Sequence, residues 1–567
     1  MMIMKFARLA EYLEKLEGTA SRLEMTRILA ELFRETTPEE ARLVAYMTQG
    51  RLGPAYRSPD FGVADKMMLR ALGEKAEALF RKLGDLGKVA EELSEGKGNL
   101  SIQDVYKKLV EIAEANGLGS QDKKTQLIRG LIKELNAGSG KYAVKMILGK
   151  LRTGFSDMTV LDALSWMIGG DKKLRPEIEA IYNIRADLGE VAEMVVRDRM
   201  HWTDKTDRTY SPEIGTPVLM ARCERAKDAA EIWERNGACA LEYKLDGLRI
   251  QAHITKKGVA LFSRGLENVT SMYPDVTEGL VKQIKRECIV EGEMIALDKN
   301  GKFLPFQETA QRKRKYQIAE MVGKVPLTIF LFDVLVADRT NMTNRTYKER
   351  RRKLEELVKP GNTVRLMPKI MIGSVGEIEE FFDKAIKDGT EGIIAKKLDG
   401  VYAAGARNFN WIKYKESYDK STLADTIDAV VMGYDAGQGK RSGFGIGDFL
   451  IGVYDPKADK YLTAAKIGTG LTDVEWKQLI TKIQDTRNKH KPENYEVTKQ
   501  MECDFWVSPK YVVEIKADEI TKSPMHTSGL ALRFPRFVGW REKKPEDATS
   551  VAELKRLYTL QMKGGDS

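Results

Sequence analysis

Apolar side chains in the first part of the chain recur three and four residues apart, as at Phe6, Leu9, Leu13 and Leu16. That spacing collects them on one face of an amphipathic helix and turns the charged positions between them outward. The rhythm persists to about residue 205 and predicts an all-helical region. Start signals punctuate it. In Thr37-Pro38-Glu39-Glu40 the threonine can cap, the proline suits the first helical position, and a glutamate can reach back to close a capping box. Ser101 with Asp104 is a looser version ahead of Val105 to Ile112. Between helices lie loops rich in glycine and cations, Gln49-Gly50-Arg51-Leu52-Gly53-Pro54 and Lys150-Leu151-Arg152-Thr153-Gly154. Small residues there let a backbone approach a phosphate that the cations attract, although a solvated turn reads equally well from these residues alone.

Around residue 210 the pattern changes, and Ser211-Pro212-Glu213-Ile214-Gly215-Thr216-Pro217 reads as an irregular connector. Beyond it, alternating stretches predict strands over Leu241 to Ile254, Cys288 to Leu297, Leu327 to Leu335, Gly392 to Lys396 and Trp411 to Lys415, with helices between. This is the pattern of a mixed α+β domain. From about Asp425 the reading is mainly β, over Asp428 to Tyr434, Asp448 to Tyr454, Lys460 to Ile467 and Tyr511 to Ile515, and a small closed barrel fits it. Gly437-Gln438-Gly439-Lys440-Arg441 tempts a phosphate-loop assignment, but its spacing and the missing Ser or Thr after Lys440 break the Walker pattern, which leaves a barrel loop. Arg312-Lys313-Arg314-Lys315 reads as a solvated helix face.

A length of 567 residues suffices for several domains at roughly 100–200 residues each. No apolar run nears the roughly 20 residues of a membrane span, and the opening Met1-Met2-Ile3-Met4-Lys5 lacks the apolar core of a secretory signal, so a cytoplasmic protein is expected. Cys223, Cys239, Cys288 and Cys503 form no C-x-x-C pair, which argues against a zinc ribbon or a disulfide framework. His201, His253, His490 and His526 lie far apart and read as solvated or core side chains. The net charge of +10 favours a polyanionic partner, because Lys and Arg contacts release counterions condensed on nucleic-acid phosphate.

The chemistry concentrates at Leu241-Glu242-Tyr243-Lys244-Leu245-Asp246-Gly247-Leu248-Arg249-Ile250, where Asp-Gly breaks a strand and a lysine sits at the break. Alone, a lysine before an Asp-Gly turn is an exposed hairpin residue. Its weight comes from five downstream segments in fixed order: Phe262-Ser263-Arg264-Gly265, Val290-Glu291-Gly292-Glu293-Met294, Phe330-Leu331-Phe332-Asp333, Glu391-Gly392-Ile393-Ile394-Ala395-Lys396 and Trp411-Ile412-Lys413-Tyr414-Lys415. Together these resemble the ordered motifs of covalent nucleotidyltransferases, the superfamily of DNA ligases, RNA ligases and mRNA capping enzymes. Phe61-Gly62-Val63-Ala64-Asp65-Lys66, Leu151-Arg152-Thr153-Gly154 and Val160-Leu161-Asp162-Ala163-Leu164 look like the helical DNA-binding domain of archaeal and eukaryotic replicative ligases. Ala531-Leu532-Arg533-Phe534-Pro535-Arg536-Phe537 resembles the start of the sixth ligase motif. Capping enzymes and small RNA ligases lack the helical domain, and NAD-dependent ligases carry a four-cysteine zinc site that this chain does not supply. The resemblance, which covers nearly the whole chain, is therefore to ATP-dependent DNA ligases of the archaeal and eukaryotic replicative type.

That resemblance implies a multidomain fold: an all-α DNA-binding domain at 1–208, an α+β nucleotidyltransferase (adenylation) domain at 209–422, and a β-barrel OB-fold at 423–567. It implies that Lys244 takes AMP from ATP, passes it to the 5′-phosphate of a nick in duplex DNA, and that the 3′-hydroxyl then expels AMP. A lysine amine attacks only when neutral, so its pKa must be lowered by neighbouring cations or a bound metal ion, and Arg249, Lys413 and Lys415 are suitable cations. Carried over residue by residue, Glu242 reads the adenine amine, Arg264 contacts the ribose or end phosphate, Phe332 stacks on the base, and Arg541 joins the nucleotide contacts. Glu293 and Glu391 would hold Mg²⁺, or Mn²⁺ in its place, and Arg51, Lys66, Arg152, Arg533 and Arg536 are the expected DNA contacts. Relatives end the sixth motif with Asp-Lys, whereas Trp540-Arg541-Glu542-Lys543-Lys544-Pro545 slips by one residue and leaves Lys543 and Lys544 as alternatives. A monomer is expected. A sliding clamp is an open partner, because no glutamine followed by paired aromatics stands out. The alternative is an RNA ligase or another covalent nucleotidyltransferase using the same lysine chemistry; against a decayed scaffold stand the intact Lys244, Glu293, Glu391, Lys413 and Lys415.

Overall fold

The computed structural model describes residues 3–151, 153–204, 210–314, 317–359, 361–415, 426–437 and 444–563. It divides into two compact units, Met1–Tyr414 and Lys415–Ser567. No helix among the described residues is long and apolar enough to cross a membrane.

The larger unit begins with helices, from Phe6–Glu17 through Leu188–Arg197, as the periodicity predicts. Phe6, Leu9, Leu13 and Leu16 are fully buried, and one apolar core runs from them to Trp202. Both start signals are complete capping boxes. Glu40 accepts from the Thr37 N–H at 2.9 Å while the Thr37 hydroxyl accepts from the Glu40 N–H, and Asp104 does the same for Ser101 at 3.1 Å.

Two sheets come next along the chain. The first is ordered β1-β11-β10-β2-β9, from β1 (Arg222–Arg225), β2 (Cys239–Tyr243), β9 (Lys369–Ile372), β10 (Gly392–Lys397) and β11 (Arg407–Lys415). The second is ordered β4-β3-β5-β6-β7, from β3 (Leu248–Thr255), β4 (Gly258–Ser263), β5 (Cys288–Ala296), β6 (Leu327–Ala337) and β7 (Thr340–Asn341), with β8 (Val364–Leu366) beside β6. The stretch Leu241 to Ile254, read as a strand broken at Asp-Gly, is thus two strands that belong to two different sheets. Lys244 to Gly247 is where the chain crosses between them. One apolar core lies between the sheets, with Leu241, Tyr243 and Ile393 facing Phe330, Phe332 and Leu335. A second covers the other face of β3, β5 and β6 with Val276 and Leu280 of the helix Pro274–Gln283.

Arg312 corrects the reading of a solvated basic helix face. It follows the short helix Phe306–Ala310, is 2% exposed, and forks onto Asp275 at 2.8 and 3.0 Å. A buried guanidinium needs such a partner, and Asp275 at the start of the neighbouring helix provides it. Lys315 lies outside the described residues.

The smaller unit is strand-rich: β12 (Ile427–Asp435), β13 (Asp448–Asp455), β14 (Lys460–Ile467), β15 (Arg487–Asn488), β16 (Tyr495–Glu496), β17 (Phe505–Val507), β18 (Val512–Lys516), β19 (Glu519–Lys522), β20 (Leu530–Arg533) and β21 (Arg536–Arg541). The long strand β12 pairs with β13 along one edge and with β17 and β18 along the other, and β19-β20 forms a separate hairpin. This half-barrel is of the OB type, and Trp476, Leu479 and Ile483 of the helix Asp473–Ile483 enter its core. Of the stretch considered as a phosphate loop, 438–441 lies outside the described residues.

Asp333 on β6 and Arg350 on the helix Tyr347–Leu357 form a fully buried ion pair at 2.8 and 3.0 Å, and Arg350 also donates to the carbonyls of Arg345 and Gly400. Removing one partner of such a pair strands the other charge, so Asp333→Ala should destabilise the larger unit by about 3–5 kcal/mol, read from urea unfolding. A loss below about 1 kcal/mol would show that the backbone carbonyls alone satisfy Arg350.

Candidate active site

Lys244 is the first residue past β2, and it is still tied to the sheet. Its N–H donates to the Gly392 carbonyl at 2.9 Å and its carbonyl accepts from the Glu391 N–H at 3.0 Å. These bonds extend the antiparallel β2-β10 ladder by one step and bring the Glu391 side chain onto the lysine, whose Nζ it ion-pairs. The turn past this lysine lies hard against β5. A Cβ added at Gly247 would stand 2.4 Å from the Met294 carbonyl oxygen, a distance no side chain tolerates, so the Asp-Gly break requires glycine for close approach. On leaving the turn, β3 sets Arg249 opposite Glu293 and Gln251 opposite Glu291.

Burial works against the Lys244 charge, but Glu391, Glu293 and Asp246 outweigh it, and the amine is held above its ordinary pKa. The lowering expected from neighbouring cations or a bound metal ion is not produced by the protein side chains alone, because the carboxylates dominate around Nζ. Arg249 spends its charge on Glu291, at 2.8 Å. Burial in turn pushes the Glu293 carboxyl up to about 7, with Lys244 and Arg249 pulling the other way. Among the described residues no group of three or more His, Cys, Asp or Glu is arranged for a metal. Glu293 and Glu391 alone still fit a hard divalent ion of the Mg²⁺ kind, which takes few protein carboxylates and fills its shell from substrate oxygens and water. A carboxyl as reluctant to ionise as Glu293 gains most from such a cation.

Phe332 and Trp411 meet edge to face at 5.9 Å. The Arg249 guanidinium lies 5.3 and 5.4 Å from their ring centres, and Lys396 Nζ lies 4.7 and 4.4 Å away. The Arg249 Nε is buried and has no acceptor among the described residues, an orphan donor in a cationic, aromatic pocket. Glu242 is 1% exposed: its Oε1 accepts from the Tyr347 hydroxyl at 2.7 Å and from Arg351 at 3.2 Å, and its Oε2 pairs with Lys396 at 2.8 Å. Lys413 is partly buried on β11, and its charge, with those of Arg249, Lys396 and Lys244, pulls against the burial that raises the Cys223 thiol. Arg264 is exposed just past β4, whose Ser263 pairs with Ile250, so it stands at the Arg249 end of the sheet.

The remaining expected residues belong to the helical region and to the smaller unit. Arg51 is exposed in its loop, Lys66 is exposed in the first turn of the helix Asp65–Leu72, and Arg152 lies outside the described residues. In the smaller unit, which begins at Lys415, the Lys415 Nζ is 6.0 Å from the Phe534 ring centre. Arg533 pairs with Glu519 at 2.6 Å and Arg536 with Asp518. Arg541 bridges Asp428 and Glu514, both at 3.1 Å, and Lys543 joins it on Asp428 at 2.6 Å, while Lys544 opens the turn Pro545–Asp547.

Sequence reasoning gave no role to Lys396, Trp411, Tyr347, Arg351, Gln251, His253 or Tyr402. The Arg350-Arg351 doublet inside a helix was the available signal for part of this set, since two arginines buried at one place demand carboxylate partners.

Comparison with known proteins agrees along the chain. The family described as ATP dependent DNA ligase domain matches residues 217–415, DNA ligase N terminus matches 5–165, and ATP dependent DNA ligase C terminal region matches 442–544. A probable DNA ligase of Dictyoglomus turgidum is 43% identical over 581 residues, covering 99% of this chain and 98% of the relative. A DNA ligase of Aeropyrum pernix is 39% identical over 603 residues, with the same coverage. The solved structure of Pmar-Lig_PreS3 shares the fold at a TM-score of 0.54 and 17% identity, covering 94% of this chain and 99% of that one. The chain belongs to the ATP-dependent DNA ligases.

Two outcomes test this geometry. Gly247→Ala should displace the lysine turn from β5, lower self-adenylation by about 10²-fold or more, because small misplacements of reacting groups are costly, and lower the melting temperature as well. Unchanged activity would mean that β5 yields to the methyl group. His253 is 1% exposed, and burial pushes its pKa down to about 3 from an ordinary 6.5. It stays neutral in the fold while the unfolded chain takes up a proton below pH 6.5, so it subtracts stability as pH falls from 6.5 towards 3, by about 1.4 kcal/mol per pH unit, and nothing above. His253→Gln should therefore show a shallower loss of stability between pH 7 and 5; parallel melting curves would place this histidine in a solvated setting.

Proposed function

We propose that this ligase seals nicks in duplex DNA by carrying AMP on Lys244. The observation that carries the proposal is the half-buried crossover at which Lys244 is paired with Glu391, beside Glu293, Arg249 and the Phe332-Trp411 pair. Nζ must first shed a proton, and Glu391 is the acceptor already placed on it. The neutral amine then attacks the α-phosphorus of ATP, the phosphorus–nitrogen bond forms, and pyrophosphate leaves. Arg249, with its orphan Nε, and Lys413 and Lys415 are the cations assigned to the phosphate oxygens. Phe332 stacks on the base, Glu242 accepts from the adenine amine through the lone-pair capacity left on Oε2, and Arg264 contacts the ribose or the end phosphate. Glu293 and Glu391 are the residues that would hold Mg²⁺ or Mn²⁺, whose charge neutralises the triphosphate.

The domain assignment is a helical DNA-binding domain at 1–208, an adenylation domain at 209–422 and an OB-fold at 423–567. Arg51, Lys66 and Arg152 contact the duplex from the first, and Arg533 and Arg536 from the last, with Arg541 and Lys543 as the sixth-motif cations because they share Asp428. The reading extends to a monomer working on DNA in the cytoplasm. No motif supports a sliding clamp, and the helical domain disfavours the RNA ligase alternative.

Lys244→Ala should reduce covalent labelling from ATP carrying the label on its α-phosphate by about 10³-fold or more, while nicked-duplex binding persists. Intact protein should gain the mass of one AMP on Lys244. Labelling at the normal level in the variant would move the nucleophile elsewhere.

A further inference from the structure

Alternation ordinarily turns one face of a strand to water, but the polar face of β3 is dry: Gln251 is 0% exposed, His253 1% and the facing Glu291 0%. What covers it is the connector, residues 215–221. The Gly215 N–H donates to His253 Nδ1 at 2.8 Å, which fixes the proton on Nε2, and Nε2 lies 2.9 Å from Gln251 Oε1. Gln251 grips Val218 with both ends of its amide, accepting from the N–H at 2.8 Å and donating to the carbonyl at 3.0 Å, and also donates to Glu291 Oε1 at 3.1 Å. Glu291 Oε2 then accepts from Arg249 at 2.8 Å and from the Tyr402 hydroxyl at 2.9 Å. The circuit closes on the connector, because Arg249 donates to the Ala221 carbonyl at 2.7 Å and the Ala221 N–H donates to the Tyr402 oxygen at 2.9 Å.

The other edge of the connector is held by the helical region. Leu219 donates to the Asn183 carbonyl at 2.8 Å, Ala186 donates to the Pro217 carbonyl at 3.0 Å, and the Arg57 guanidinium donates to the Gly215 carbonyl at 3.1 Å. An unbroken chain of hydrogen bonds therefore runs from the helices to the guanidinium that faces Phe332 and Trp411.

We propose that Gln251 and His253 are positioning residues for the adenylation step: by clasping the connector they orient Glu291, and through it Arg249, so that the nucleotide pocket is complete only with the connector seated. This rests on the reading that Arg249 serves the nucleotide. Neither residue touches substrate. Each is a neutral group that passes orientation along a buried network, where a single missing partner is felt at the charged end. The arrangement ties the seating of the helical region to the affinity for ATP.

The test uses full-length protein and self-adenylation kinetics. Gln251→Leu and His253→Leu should each raise the KM for ATP about tenfold or more, as expected for a disturbed hydrogen bond to a charged group, with kcat changed far less. His253→Gln, whose amide can accept from Gly215 and donate to Gln251, should recover most of the loss. Because Gln251 acts through Arg249, the Arg249→Ala, Gln251→Leu double variant should be no worse than Arg249→Ala alone. Arg249→Ala with an unchanged KM would sink the reading of Arg249 itself. A raised KM in Arg249→Ala beside an unchanged KM in both leucine variants, or effects that multiply in the double variant, would overturn the positioning role and leave the site standing. Should Gln251→Leu fail to fold, the contrast between His253→Leu and His253→Gln decides, and equal defects in those two overturn the proposal.

Discussion

Two backbone hydrogen bonds between Lys244 and the Glu391-Gly392 step hold the rest of the site in place. At that point the chain leaves one sheet for the other, and without them Lys244 would be an ordinary residue of an exposed turn. With them, an ammonium is drawn into a crossover lined by Glu391, Glu293 and Asp246, where each unpaired charge would be costly. That cost shapes everything nearby. Arg249 answers Glu291 from the neighbouring strand, Lys396 answers Glu242 likewise, and Arg350 and Arg351 of one helix answer Asp333 and Glu242, so that each of these buried charges has a partner. The pocket is stiff because its charges cannot be separated cheaply.

What the sequence made legible was local or carried by resemblance. The capping boxes at Thr37 and Ser101 are closed by residues three apart, and the buried stripe of the first helix repeats within one helix. The ordered motifs pointed to Lys244, Arg249, Glu293, Phe332, Glu391 and Lys413, and the larger unit brings these into one neighbourhood. Illegible were relations across the chain. Lys244 and Glu391 lie 147 positions apart, so nothing in either segment says that a carboxylate sits on the lysine and holds its proton rather than a cation driving that proton off. The alternation shifts phase at Gly247, with apolar residues at odd positions from Leu241 to Leu245 and at even ones from Leu248 to Ile254, and such a slip reports a break but not which sheet each strand joins.

The strand Leu248–Thr255 shows the same limit in its side chains. Its apolar residues Ile250, Ala252 and Ile254 enter a core, as alternation predicts, and Arg249, Gln251 and His253 would ordinarily face water. They do not, because the irregular connector lies across them and supplies the hydrogen bonds that water would otherwise make. A histidine read from sequence as a solvated or core side chain is thus a core histidine of a particular kind, with an acceptor nitrogen that fixes where the incoming chain lies.

The balance of charge at Nζ also has a direction. The resting pocket stabilises the ammonium, and an ammonium has no lone pair to attack phosphorus. Burial alone would lower the amine's pKa, and it is the three carboxylates that overrule burial. Any reaction at Nζ therefore has to begin by weakening the hold of those carboxylates, and neither Arg249, committed to Glu291, nor Lys396, committed to Glu242, is free to do so.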